Sequence, residues 1–160
     1  MGGGILALVS QPIDEARDPI AGVEVAWSAV APVLALVAGA LLLLVADALK
    51  RHRPLKGTYA LATVVTAGAA MGFAVPLWQR VQDADRGPFS TLADAVGVDG
   101  FSVFATFVIA AAVILGALFL DGWLRREEMD SAEPYVLMLL SASGGVTMAS
   151  ANDLIVMFLG

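Results

Sequence analysis

The sequence predicts an all-α bundle of transmembrane helices, with four complete spans and the start of a fifth. Hydrophobic residues make up 59% of the 160 residues and charged residues only 15%, whereas about a quarter of a typical soluble domain is charged. The mean hydropathy is +0.82. Four segments reach the roughly 20 apolar residues that a helix needs to cross a hydrocarbon core about 30 Å thick. These observations argue against a compact water-soluble globule.

The predicted spans are apolar on every side, without the alternation of a half-buried strand. They are preceded by a tail, residues 1–27, which contains several acidic side chains and lacks the basic start of a signal peptide. We expect this tail to lie outside the cytoplasm. The spans cover residues 28–49, 58–78, 100–120 and 134–151, and residues 153–160 begin a fifth helix.

Particular residues mark the predicted helix ends. Pro134 suits a first helical turn, where its missing N–H would have no partner. Asn152 and Asp153 are typical of the start of another helix. Trp27, Trp78 and Trp123 fall at predicted membrane interfaces, where an amphipathic ring is stable.

Lysine and arginine in the short loops predict the orientation. The loop 50–57 holds four basic residues and the loop 121–133 holds two, while Arg17, Arg80 and Arg86 lie on the other side. Because positive loops stay in the cytoplasm, we expect both loops there and the amino terminus outside. The remaining connection, 79–99, is predicted to be a surface loop with one short helical turn around residues 90–96.

The predicted spans carry no ionisable residue near their centres, and no site is predicted. Asp47, Asp121 and Asp153 all lie near a span end, where a carboxylate reaches the interface. The sequence has no cysteine and one histidine, His52, so the usual ligand sets for zinc or iron–sulfur clusters are lacking. A net charge of −6 argues against nucleic-acid binding. We therefore predict no catalytic, cofactor-binding or metal-binding residue in this chain.

Small residues at helix-packing spacing are the main feature inside the spans. Gly68 and Gly72 form a Gly-x-x-x-Gly pair, which predicts close helix packing at that face. Hydroxyl side chains in the spans are expected to bond to their own helix or to a neighbour. The other small pairs are Ala112 with Gly116 and Ser141 with Gly145, and the hydroxyl residues are Thr63, Thr66, Thr106, Ser141, Ser143 and Thr147.

The second half of the chain resembles a known family. The segments that carry the resemblance are 98–101, which reads Val-Asp-Gly-Phe, Glu133 with Tyr135, 148–154, which reads Met-Ala-Ser-Ala-Asn-Asp-Leu, and 158–160, which reads Phe-Leu-Gly. In order and spacing they are similar to subunit N of the proton-pumping NADH:quinone oxidoreductase, respiratory complex I. The resemblance is strong from about residue 99 onward and weak before it.

The resemblance implies a fourteen-helix antiporter-like subunit of the cell (inner) membrane that helps to move protons, driven by electron transfer in distant subunits. It implies other membrane-arm subunits as partners, including a neighbouring antiporter-like subunit, within the lipid bilayer. FMN, iron–sulfur clusters and quinone are then expected in those partners and no cofactor in this chain. The family's proton-handling glutamate is expected about two positions beyond Gly160, so we expect the natural chain to continue past Gly160. Residues 1–160 are then expected to supply packing helices and not the proton-carrying residues.

Two alternatives remain open at this stage. The chain is also compatible with a sister antiporter-like subunit or an Na⁺/H⁺ antiporter membrane subunit, although Phe158-Leu159-Gly160 favours subunit N. From another class, a four-span structural or assembly protein without transport would have the same hydropathy.

Overall fold

Four long helices account for most of the fold, which a computed structural model describes for residues 26–49, 57–83, 87–92, 95–127 and 131–160. The tail 1–25 and most of the basic loop lie outside the described residues. In chain order the elements are α1 (Trp27–Ala48), α2 (Thr58–Gln82), β1 (Phe89–Thr91), β2 (Val96–Val98), α3 (Gly100–Arg126), α4 (Glu133–Ala149) and α5 (Leu154–Leu159).

The four long helices form a ring in which each one packs against two neighbours. Helix α2 lies between α1 and α3, and α4 closes the ring by contacting both α1 and α3. An all-α membrane bundle is thereby confirmed. Three helices, α1, α2 and α3, are long and apolar enough to cross a membrane. Helix α4 has 17 residues, a length of about 25 Å, so its crossing stays a prediction.

Helix α2 turns mainly small side chains toward the core of the bundle and larger ones outward. On α2 the buried face includes Ala60, Ala67 and Ala70, whereas Leu61 and Val65 on the outer face are more than 60% exposed. Small residues let the helix axes approach closely, which matters in lipid because apolar surface gains little by leaving one hydrocarbon for another. This pattern, with small residues inside and large apolar residues outside, is typical of a helix bundle that is surrounded by lipid or by other helices.

Local hydrogen bonds fix where the helices begin. The Asp99 side chain accepts from the Ser102 backbone N–H at 2.7 Å, and the Ser102 hydroxyl oxygen accepts from the Asp99 N–H at 3.0 Å, a capping box that starts α3. Pro134 lies in the first turn of α4, as its type favours. Asp153 caps α5 by accepting from the Ile155 N–H at 3.3 Å, which agrees with the predicted helix start.

Two helices continue past the predicted ends of their spans. Helix α2 extends to Gln82 and α3 to Arg126, four and six residues beyond the segments that hydropathy marks. Asp121, placed near the end of the third span, therefore lies inside α3, more than one turn before its last residue. Hydropathy marks the part of a helix that is apolar enough for the bilayer core. A helix can continue beyond that part into water where its residues favour the helical conformation.

The connection between α2 and α3 is a β-hairpin, so the predicted helical turn at residues 90–96 was wrong. Strands β1 and β2 pair antiparallel, with Phe89 opposite Val98 and Thr91 opposite Val96. The Gly97 N–H donates to the Ser150 carbonyl at 2.8 Å and the Asn152 N–H donates to the Ala95 carbonyl at 3.0 Å. These bonds to the α4–α5 connection are distant in sequence, and local propensity does not reveal them.

Candidate functional site

The interior of the bundle has buried hydroxyl groups, and each bonds within its own helix. Thr63 donates to the Tyr59 carbonyl at 2.9 Å, Thr106 to the Ser102 carbonyl at 2.8 Å, and Ser143 to the Leu140 carbonyl at 2.7 Å. The predicted back-bonding of hydroxyl residues is confirmed for these positions. Because each of these hydroxyl groups donates its hydrogen bond to a backbone carbonyl of its own helix, these three groups do not donate to a neighbouring helix.

Polar side chains gather where α1 ends and where α2 and α4 begin, a group that we call the loop-end cluster. It consists of Asp47, Tyr59, Tyr135, Asp121 and Arg125. The Tyr59 hydroxyl donates to the Asp47 carboxylate, which joins α2 to α1. The Tyr59 and Tyr135 rings stack with centroids 6.3 Å apart, which joins α2 to α4. Tyr59 thus connects three helices through one side chain.

The other half of the loop-end cluster comes from α3 and rests against the start of α2. Arg125 pairs with Asp121 one turn earlier, with Nε 2.8 Å from the carboxylate oxygen. A Cβ at Gly57 would lie 2.6 Å from an Arg125 guanidinium nitrogen, and Gly57 has a φ of +88°. The left-handed backbone favours glycine here, whereas the guanidinium stands at the end of a flexible side chain that can shift.

Replacing Tyr59 by phenylalanine will test the loop-end cluster. The variant keeps the ring on Tyr135 and removes the donor to Asp47, and a hydrogen bond to a charged acceptor contributes about 1.5–3 kcal/mol. We expect Tyr59→Phe to lower the free energy of unfolding in mixed micelles by about 1–2 kcal/mol. Tyr135→Phe is the matched control and should change it by less than about 0.5 kcal/mol. Equal effects of the two variants would contradict this role of Tyr59.

At the opposite end of the bundle, aromatic side chains make contacts between α2 and the hairpin and between α2 and α3. The Arg80 guanidinium carbon lies 3.8 Å from the centroid of the Phe89 ring, a cation–π contact. The Nε of Arg80 is buried and has no hydrogen-bond partner among the described residues. Trp78 packs edge-on against Phe107 with centroids 6.3 Å apart. Trp78 therefore does more than the anchoring predicted from the sequence, because it joins α2 to α3.

The hairpin also borders a groove of about 330 Å³ with a polar rim. Ser90 and Asp99 lie on one side of it, and Ser150 and Asn152 of the α4–α5 connection lie on the other. This end of the bundle has no acid–base pair of the kind that hydrolytic chemistry uses, within the part of the chain that the structure describes.

The predicted small-residue faces have different outcomes. Gly116 contacts Met138 and Gly145 contacts Ile109, so α3 and α4 pack through these two glycines as expected. Gly68 and Gly72 meet nothing within 4 Å and lie on the outer face of α2. The prediction that this pair packs helices was wrong for the described bundle. The spacing identifies a small face, but it does not tell which side of the helix faces a neighbour.

Gly39 on α1 makes a close contact with α2 that was not predicted from the sequence. A Cβ at this position would lie 2.1 Å from Thr66 Cγ2 on α2. Gly39 has an alanine, Ala35, four residues before it, the same spacing of small residues as Ala112 with Gly116, and that spacing is the signal that could have marked it. The described residues contain no group of three or more histidine, cysteine or carboxylate side chains that could hold a metal ion.

In comparison with known proteins, the chain is similar in sequence to one kind of membrane subunit. It is 32% identical over 144 residues to NADH-quinone oxidoreductase subunit N 1 of Sorangium cellulosum, an alignment covering 84% of this chain and 28% of that protein. It is 33% identical over 138 residues to subunit N 1 of Symbiobacterium thermophilum, covering 86% of this chain and 26% of that protein. No family model matches. The chain spans about a quarter of the length of these relatives.

Proposed function

We propose, on the premise that this chain belongs to the family of NADH-quinone oxidoreductase subunit N, that it works in the membrane arm of respiratory complex I. There it takes part in proton translocation coupled to electron transfer from NADH to quinone. The observation that carries the proposal is the similarity to subunit N over more than four fifths of the chain.

Within that function, the described helices supply structure and leave proton carriage to other residues. A side chain that carries protons across a membrane has to be ionisable and to face a polar path. The buried polar residues described in the bundle are threonines and serines, and those of the helix interiors bond to their own backbone. The charged side chains lie at its two ends. This arrangement supports a packing role around a proton path that other parts of the complex provide.

The partners of such a subunit are other membrane-arm subunits, including a neighbouring antiporter-like subunit, and the lipid of the cell (inner) membrane. The outer faces support this assembly, since α1 and α3 expose large apolar side chains such as Leu42 at 70% and Phe119 at 79%. In that assembly FMN, iron–sulfur clusters and quinone belong to partner subunits. The loops at the loop-end cluster face the cytoplasm, as their basic residues favour.

Affinity purification from gently solubilised native membranes tests the assembly. A tag on the chain should recover a large complex that oxidises NADH and reduces quinone, with activity that co-elutes with the tagged chain. Recovery of the chain alone, or in a complex without NADH oxidation, would contradict the proposal and favour a structural membrane protein or an antiporter.

A liposome assay tests the packing role separately. The purified chain, reconstituted by itself into vesicles loaded with a pH-sensitive dye, should give no proton or sodium flux above that of protein-free vesicles. Protonophore addition provides the positive control. Flux that depends on the chain would show that its own residues carry the ion.

A further inference from the structure

An apolar groove of about 410 Å³ lies between the last turns of α1 and the first turns of α4. Leu44 and Ala48 of α1 form one wall, and Val136 and Leu137 of α4 form the other. Two carboxylate residues, Asp47 and Glu133, border the same groove. The groove is thus apolar along its walls and acidic where the helices meet the loops.

Neither carboxylate has a cationic partner among the residues that the structure describes. One oxygen of Asp47 accepts the Tyr59 hydroxyl, and a hydroxyl leaves the negative charge in place. Asp47 also lies in the last turn of α1, where the helix dipole adds negative potential and where no basic residue is present. Glu133 lies in the first turn of α4 and is exposed. A positively charged group that entered the groove would be attracted by both carboxylates.

The walls of the groove are continuous with the outer apolar surface of the bundle. Leu44 is 52% exposed and Leu137 is 67% exposed, so the groove is open on the outer side of the bundle. Helix α4 is the shortest of the four, with 17 residues against 22 to 27 in the others. A short helix favours local adjustment of the lipid at its end.

We propose that this groove binds a phospholipid with a primary ammonium headgroup, such as phosphatidylethanolamine. An acyl chain lies against the walls at Leu44 and Leu137, and the ammonium group lies between Asp47 and Glu133. A primary ammonium offers three N–H donors, whereas the quaternary ammonium of a choline lipid has none. Within the groove the two carboxylates repel an anionic headgroup; the basic residues of the loop 50–57 lie outside the described residues. The site does not depend on the proposed function in complex I.

Photo-cross-linking in bilayers of stated composition tests this site. The chain is reconstituted in phosphatidylcholine vesicles with a small fraction of a lipid that carries a diazirine on one acyl chain and an ethanolamine, choline or glycerol headgroup. We expect the ethanolamine probe to label the peptides around Leu44 and Leu137 at least about threefold more than the other two, because only its ammonium group both carries a positive charge and donates N–H hydrogen bonds to the carboxylates.

Charge-neutral variants separate headgroup recognition from general lipid contact. The double substitution Asp47→Asn and Glu133→Gln should reduce labelling by the ethanolamine probe to the level of the choline probe. Glu127→Gln is the matched control, because Glu127 is an exposed carboxylate at the same end of the bundle and does not line the groove. It should leave the preference unchanged. Leu137→Trp fills the groove while both carboxylates remain, and it should abolish the labelling.

Three results would overturn the proposal. The first is equal labelling by the three headgroups. The second is a preference that survives in the double variant while its circular dichroism matches that of the parent chain. The third is an adduct with a protein instead of a lipid, when a photoreactive amino acid at position 137 is activated in native membranes.

Discussion

Leu139→Ala will lower the free energy of unfolding of the helical bundle by about 2–4 kcal/mol. Leu139 is fully buried on α4, in the core that includes Leu36, Ala40 and Val113. In lipid, removing the side chain costs little transfer free energy, because the unfolded state in the membrane is also surrounded by apolar groups. The cavity nevertheless removes van der Waals contacts with the residues on every side of it. Helices held by small residues at short distances have few ways to close such a cavity.

The control for this cavity lies two residues earlier on the same helix. Leu137 is 67% exposed, so Leu137→Ala should change the free energy of unfolding by less than about 0.5 kcal/mol. Reversible unfolding of the purified chain in mixed micelles, followed by circular dichroism, measures both variants. If the two substitutions destabilise the chain equally, the assignment of inner and outer faces of α4 is wrong.

Gly39→Ala will destabilise the contact between α1 and α2 by about 1–3 kcal/mol, the range for overpacking a close contact. The new methyl group would lie 2.1 Å from Thr66 Cγ2 and 2.6 Å from Thr66 Oγ1. Thr66 is branched at Cβ and donates to the Ala62 carbonyl at 2.8 Å, so rotation away from the methyl group breaks that bond. Either the side chain or the helix axis has to shift.

Two further variants make the contact specific. Thr66→Ala removes the two nearest atoms and leaves only the Cβ of residue 66, 2.9 Å from the new methyl group, so the double variant with Gly39→Ala should recover part of the lost free energy of unfolding. Gly68→Ala is the matched glycine control, since nothing lies within 4 Å of its Cβ position, and it should be neutral or slightly stabilising through helix propensity. A larger loss at Gly68 than at Gly39 would place the contact on the other face of α2.

The helices themselves were largely predictable from the sequence. A span of apolar residues has one stable backbone structure in lipid, because an α-helix satisfies its own N–H and C=O groups. Helices α3 and α4 begin within one residue of the predicted span starts at 100 and 134, and the proline in the first turn of α4 acts locally. Helices α2 and α3 continue to Gln82 and Arg126, beyond the predicted spans, because hydropathy marks the part of a helix that suits the bilayer core and not the end of the helix.

The sequence by itself thus determined that this chain is a bundle of apolar helices with charge confined to their ends, since that follows from local composition. Only the tertiary structure decided which small residue is a contact, Gly39 rather than Gly68, and that Tyr59 joins three helices. It also decided that the connection after α2 forms a hairpin and that this hairpin is hydrogen-bonded to the segment around Ser150. These features depend on the rotation of each helix about its axis and on contacts between distant residues, which no local pattern specifies when every face is apolar.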